Sequence, residues 1–128
     1  MEQSAHPLSG LRFLIVEDEM LQALRLGEML AEMGGTVSGT AFDYEEARKA
    51  VNETAFDCAV LDVNLNGTLS FPIADALTEL GIPFVFCTAY ADGLDAYPHA
   101  PDVWRVDKPV LPDDLRDAVL STLQAAKP

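Results

Sequence analysis

Four short apolar runs, each ending in a polar residue, constrain the fold of this chain more than any other feature of its sequence. Leu14-Ile15-Val16 leads into Glu17-Asp18, and Ala59-Val60-Leu61 leads into Asp62. Val85-Phe86-Cys87 leads into Thr88, and Val103-Trp104-Arg105-Val106 leads into Asp107-Lys108-Pro109. Runs this short and apolar read as strands covered on both faces, the pattern of a parallel sheet. The C-terminal ends of parallel strands share one edge, and that edge is where α/β sheets bind ligands. Three carboxylates, a hydroxyl and an ammonium are therefore expected to meet at one place.

The segments between the runs alternate helix and strand, which predicts a sheet with helices on both faces. Strand one is expected over residues 11–16. A helix over 20–33 follows, with Ala23, Leu26, Gly27, Leu30 and Met33 inward, ended by Gly34-Gly35. Thr36 to Phe42 reads as strand two, and Asp43 with Glu46 as a capping box that opens the next helix. Strand three is expected over 57–62, followed by a turn-like loop, Asn64-Leu65-Asn66-Gly67. Ser70 and Pro72 mark a third helix, with Ile73, Ala76, Leu77 and Leu80 inward and Gly81 closing it. Strand four is expected over Pro83–Cys87 and strand five over about 102–106. A last helix starts at Pro112 and buries Leu115, Val119, Thr122 and Ala126. Residues 91–101 contain Gly93, Pro98 and Pro101 and have no helical period, so a loop or frayed turn, more mobile than the rest, is expected there.

At 128 residues the chain is the size of one domain, with residues 1–8 expected as a tail and 9–128 as the folded body, leaving nothing for an output domain. A composition 49% hydrophobic and 23% charged is that of a globular protein. The net charge of −13 repels phosphate backbones and anionic lipid, so neither nucleic acid nor membrane is an expected partner. No apolar stretch is long enough to span a bilayer, and residues 1–10 lack the pattern of a signal peptide, so the cytoplasm is the expected location. Cys58 and Cys87 fall inside predicted strands, roughly 10 Å apart by their offset, and read as reduced, inert thiols.

Adjacent carboxylates at one strand end, with a third at another, suit a hard divalent cation such as Mg²⁺ (or Mn²⁺). A carboxylate is also able to accept a phosphoryl group, and cations and hydrogen-bond donors must then face the phosphoryl oxygens. Lys108 and Thr88 are candidates for those tasks, together with backbone N–H groups of the loops.

At these residues the chain resembles the receiver domain of bacterial two-component response regulators. The resemblance rests on Val16-Glu17-Asp18-Glu19, Leu61-Asp62-Val63-Asn64-Leu65, Thr88-Ala89 and Lys108-Pro109, each at a strand end and in this order. It implies a flavodoxin-like, doubly wound sheet of five parallel strands in the order 2-1-3-4-5. It implies a phosphoprotein in which Asp62 is the phosphoacceptor. Mg²⁺ would be held by Asp18, Asp62 and the backbone carbonyl of Asn64, with Glu17 acting directly or through water. Lys108 would pair with a phosphoryl oxygen, Thr88 would turn its hydroxyl to the new group, and the backbone of Ala89 would contact it. The Lys108–Pro109 bond would be cis.

The stretches Asp62–Gly67 and Pro83–Tyr90 are similar to the FATGUY subgroup of single-domain receivers, although Cys87, Ala89 and Ala91 stand where its signature has Ala, Gly and Tyr. Receivers usually carry a switch aromatic three residues before the lysine. That position is Arg105 here, beside Trp104, so Tyr90, Trp104 and Arg105 are the switch-region candidates and residues 91–101 the expected carrier of any change. The implied partners are a sensor histidine kinase and a histidine phosphotransfer protein or regulated target, as in phosphorelay signal transduction. The rival reading is a receiver-like docking module that works without phosphorylation. A haloacid-dehalogenase-type enzyme is disfavoured because Asn64 and Asn66 replace both aspartates of its motif. A flavodoxin-like redox module is disfavoured because Glu17-Asp18-Glu19 would repel its phosphate.

Overall fold

The structure, a computed structural model, describes residues 6–125, with Tyr90 described in its backbone alone. Among the described residues seven strands and four α-helices follow one another: β1 (Arg12–Val16), α1 (Met20–Glu32), β2 (Thr36–Ala41), α2 (Tyr44–Glu53), β3 (Cys58–Asp62), β4 (Asn64–Leu65), β5 (Thr68–Leu69), α3 (Phe71–Leu80), β6 (Phe84–Thr88), β7 (Trp104–Asp107) and α4 (Pro112–Ala125). The main sheet is parallel with order β2-β1-β3-β6-β7. With the small β4–β5 pair set aside, this is the 2-1-3-4-5 order of the flavodoxin-like fold.

The two faces of the sheet separate by the alternation of side chains along each strand. Leu14, Val16, Leu61 and Phe86 point into one core beneath α2 and α3. Phe13, Ile15, Val60, Cys87 and Val106 point into the other, beneath α1 and α4. Central strands β3 and β6 are buried along their whole length, which is why their sequences are unbroken apolar runs. Only half of the expected capping box forms: the Glu46 N–H donates to Asp43 Oδ1 at 2.8 Å, but Glu46 Oε1 accepts the N–H of Phe42 at 2.8 Å, one residue before the N-cap.

Several expectations shift. The Asn64–Gly67 loop is the centre of a small antiparallel hairpin, β4–β5, turned by Asn66 (φ 54°) and Gly67 (φ 96°). Asn-Gly is the preferred dipeptide for such a turn because both positions need φ > 0. In α3 the buried residues are Ile73, Ala74 and Leu77. Leu80, expected inward, is exposed, because the helix ends there in the left-handed Gly81. In α4, Ala118 joins Leu115, Val119 and Thr122, whereas Ala126 lies outside the described residues. Asp62 is opposite Cys87, which places Cys58 four residues along rather than three, roughly 13 Å from its counterpart. Both cysteines are free, and burial pushes each thiol up to about 12.

Residues 90–102 are neither a regular helix nor a loose loop. They form three short 3₁₀ turns, Tyr90–Asp92, Leu94–Ala96 and Ala100–Asp102. Gly93 (φ 81°) breaks the first from the second, and Pro98 and Pro101 withhold the N–H groups a continuous helix needs. Leu94 and Tyr97 tie the segment to the α2–α3 core.

The folded body also reaches further toward the N-terminus than residue 9. Leu8 is completely buried among Phe13, Leu30 and their neighbours, and its N–H donates to the Met33 carbonyl at 2.9 Å. Replacing it with alanine removes a leucine side chain from a packed core, and Leu8→Ala is expected to cost about 2–5 kcal/mol. A urea denaturation midpoint no lower than wild type would show that the segment only rests on the surface.

Candidate functional site

The sheet register alone gathers the candidate residues. Val16 is opposite Leu61, Asp62 opposite Cys87, and Thr88 opposite Asp107, so Glu17, Asp62, Thr88 and Lys108 all leave the same edge. Carboxylate oxygens of Glu17, Asp18 and Asp62 lie within 4.8 Å of one another. Lys108 extends across them, its Nζ 3.2 Å from Asp62 Oδ1 and 3.5 Å from Glu17 Oε1. Glu17 and Asp62 are only 2% and 3% exposed, so these are buried charges and not a solvated acidic patch.

Local backbone fixes each side chain. The Glu17 N–H donates to the Ala41 carbonyl, and Glu17 Oε2 accepts the Glu19 N–H at 3.1 Å. Asp62 Oδ1 accepts the Asn64 N–H at 3.4 Å, and the Asn64 side chain holds the hairpin by accepting the Gly67 N–H at 2.6 Å. Ser70, whose hydroxyl is completely buried, donates to the Asp62 carbonyl at 2.6 Å, while its N–H donates to the Val63 carbonyl. Ser70 thereby clamps the end of β3 in addition to starting α3. From sequence it was legible only as a helix start, and nothing in its spacing marks the contact with Asp62. The Lys108 N–H donates to the Thr88 carbonyl at 2.9 Å, which ties the ends of β6 and β7 together. The Lys108–Pro109 bond is cis.

The remaining candidates are more scattered. Thr88 is buried, and its hydroxyl donates to the Ala89 carbonyl at 3.0 Å rather than to Asp62. The Ala89 N–H donates to Asp92 Oδ2 at 2.8 Å. Tyr90 opens the first 3₁₀ turn. Trp104 is 42% exposed at the start of β7, away from the carboxylates. Arg105 pairs with Asp95 at 3.2 Å on the surface.

Electrostatically the pocket holds more negative charge than it neutralises. Burial and the Asp62 charge push Glu17 up to about 7, against the pull of the Glu19 N–H and Lys108. Burial also raises Asp62, although Lys108 opposes the shift. Burial pulls Lys108 down, but the charges of Asp62 and Glu17 outweigh it and leave the ammonium more basic than usual. Three converging carboxylates with a single ammonium among them form an oxygen-only donor set, which fits Mg²⁺ or Mn²⁺ better than a softer metal.

A doubly wound parallel sheet with an acidic, lysine-bridged pocket at its C-terminal edge is the architecture of a signalling receiver. The family described as response regulator receiver domain matches residues 13–120, and the chain belongs to it. Among relatives, the transcriptional regulatory protein TcrA of Mycobacterium tuberculosis is 40% identical over 84 residues. That alignment takes in 64% of this chain but 33% of TcrA, so the chain spans about a third of that protein. The solution structure of SdrG from Sphingomonas melonis Fr1 superposes with a TM-score of 0.78 and 36% identity, over 94% of this chain and 99% of SdrG. The receiver domain of the Erythrobacter litoralis PhyR response regulator superposes with a TM-score of 0.80 and 25% identity, over 91% and 92% of the two chains. Among the described residues no helix is long and apolar enough to cross a membrane.

The raised Glu17 gives a pH signature. Glu17 holds its proton up to about pH 7 in the folded chain, whereas an unperturbed glutamate releases it near 4.5. The folded state therefore binds the extra proton between those values, and stability from this group is lost as pH rises from about 4.5 to about 7. The melting temperature of wild type, measured against Glu17→Gln, is expected to fall across that window, and millimolar Mg²⁺ at pH 7 is expected to restore part of the loss. A flat difference curve would mean that Glu17 ionises like a surface glutamate.

Proposed function

We propose that the chain acts as a stand-alone response regulator receiver that accepts a phosphoryl group at Asp62 from a sensor histidine kinase. The observation that carries this reading is the placement of Asp62: buried, 3.2 Å from Lys108, and grouped with Glu17 and Asp18. A carboxylate oxygen of Asp62 attacks phosphorus as the P–N bond of a phosphohistidine breaks. The electron pair of that bond stays on the imidazole nitrogen, which takes up a proton. Lys108 pairs with a phosphoryl oxygen, and the Ala89 N–H and Thr88 hydroxyl supply further donors once they turn from their present partners. Asp18, Asp62, the Asn64 carbonyl and Glu17 would hold Mg²⁺ (or Mn²⁺), which neutralises charge on the transferring group.

The surface around the pocket supports a protein donor. Met20, Leu21 and Leu24 on α1 and Leu111 before α4 are all more than half exposed, although large and apolar. Both helices begin a few residues beyond the carboxylate edge, at Met20 and Pro112, so this apolar surface adjoins the site a donor imidazole must reach. Phosphorylation would then change binding to a histidine phosphotransfer protein or a regulated target in the cytoplasm.

Acetyl phosphate with Mg²⁺, read by intact mass, tests the acceptor. Wild type is expected to gain one phosphoryl group and Asp62→Asn none. Lys108→Ala is expected to gain it about a hundredfold more slowly, the usual scale for losing one charge-stabilising donor. Chelation of the metal is expected to abolish uptake. A wild type that gains no mass would favour docking without phosphorylation, and labelling of Asp62→Asn would place the acceptor elsewhere.

A further inference from the structure

The end of β6 carries an internal anion at the place where the phosphoryl group needs a donor. Ala89 follows Thr88 on the strand beside Asp62, where the Val63 N–H donates to the Cys87 carbonyl. Its own N–H is taken by the Asp92 carboxylate at 2.8 Å, a charge-assisted bond that reinforces the first 3₁₀ turn, whose backbone bond runs from the Asp92 N–H to the Ala89 carbonyl at 3.0 Å. Ala89, Thr88, Lys108 and Arg105 line a single cleft of about 430 Å³ next to the acceptor. Arg105 is held by a second carboxylate of the same segment, Asp95, at 3.2 Å. The unmodified chain thus covers both a donor and a cation of the cleft with acids from residues 92–95.

We propose that Asp92 is a built-in competitor for the phosphoryl group, occupying the Ala89 N–H until phosphorylation of Asp62 displaces it and frees the turns at 90–96 to rearrange. This rests on the acceptor reading above. One N–H cannot serve two anions without bringing like charges together, so a phosphoryl oxygen at Ala89 expels the Asp92 carboxylate. Asp92 is tied to Ala89 twice, by this carboxylate bond and by its own N–H donating to the Ala89 carbonyl at 3.0 Å, so expulsion of the carboxylate leaves the turn on one bond and loosens it, with Leu94 and Tyr97 as the next points of attachment. Asp92 is a positioning residue here: it touches no reacting atom, and it sets how readily the site accepts its charge.

Beryllium fluoride with Mg²⁺, titrated into the chain by calorimetry, tests the idea without transfer of a phosphoryl group. Asp92→Ala is expected to bind it about tenfold more tightly than wild type, the scale of one lost charge-assisted hydrogen bond in competition. Asp92→Asn, whose amide oxygen still accepts but carries no charge, is expected to fall between them. Asp102→Ala removes an equal charge from the same segment away from Ala89 and is expected to match wild type. In wild type, amide exchange of residues 91–97 is expected to quicken when the fluoride binds, and in Asp92→Ala to be quick without it. If Asp92→Ala does not fold, Asp92→Asn decides: tighter binding supports the competitor and unchanged binding overturns it. A wild type that binds while Asp92→Ala binds no tighter overturns this inference and leaves the acceptor intact. A wild type that neither binds the fluoride nor gains phosphoryl mass overturns the acceptor and this inference together.

Discussion

A single ammonium, on Lys108, faces two carboxylates that the fold has removed almost entirely from water. Burying a charge costs free energy unless a partner and hydrogen bonds compensate it, and one lysine cannot compensate Glu17, Asp62 and the adjacent Asp18 together. The remainder is visible in Glu17, pushed up to about 7. A pocket built this way has a standing deficit of positive charge. A hard dication relieves it directly, and an added phosphoryl group deepens it unless more donors turn inward. The same imbalance thus favours a hard dication in this pocket.

The rest of the fold serves to keep these groups from moving apart. Parallel pairing sets where each strand ends, and a shift of one residue in β3 against β6 would turn Asp62 to the opposite face of the sheet. Two devices guard that register. The Ser70 hydroxyl grips the Asp62 carbonyl, and the β4–β5 hairpin returns the chain so that Ser70 can do so. On the far side the Lys108 N–H holds the Thr88 carbonyl, so β7 delivers its lysine at the height of Asp62.

Much of this was legible in the sequence because it depends on strand ends, and apolar runs mark strand ends well. Glu17, Asp62, Thr88 and Lys108 were placed on one edge by pattern alone, and the register puts them there. What was not legible depends on contacts without a period. Ser70 shows the same local sequence whether its hydroxyl caps a helix or grips a strand. Leu8 is one apolar residue in a polar stretch, and only the packing of Phe13 and Leu30 reveals that it belongs to the core. The hairpin had a signal, Asn66-Gly67, but its arms are two residues each and too short for alternation to show. Residues 90–102 failed as a helix for the reasons visible in Gly93, Pro98 and Pro101. Their attachment through Leu94 and Tyr97 has no periodic trace.

That attachment bears on how a change at the site can travel. Arg105 stands opposite Phe86 in the register, at the position where the resemblance led to an aromatic switch. A guanidinium cannot fill an apolar space without losing its hydration, and Arg105 accordingly stays at the surface with Asp95. Phe86 packs against the rings of Phe84 at 5.4 Å, Phe71 at 6.2 Å and Tyr97 at 5.9 Å; the Tyr97 ring, from the connecting segment, also stacks on Phe71 at 4.7 Å, and its hydroxyl donates to Asp75. The inward ring therefore belongs to the connecting segment and not to β7. If Asp92 is expelled as proposed, a displacement at Thr88 and Ala89 would reach Tyr97 along the backbone of residues 90–96, and through its hydroxyl Asp75 on α3. Such a path would run through a short length of main chain, where rotation of one side chain on a strand would otherwise carry it.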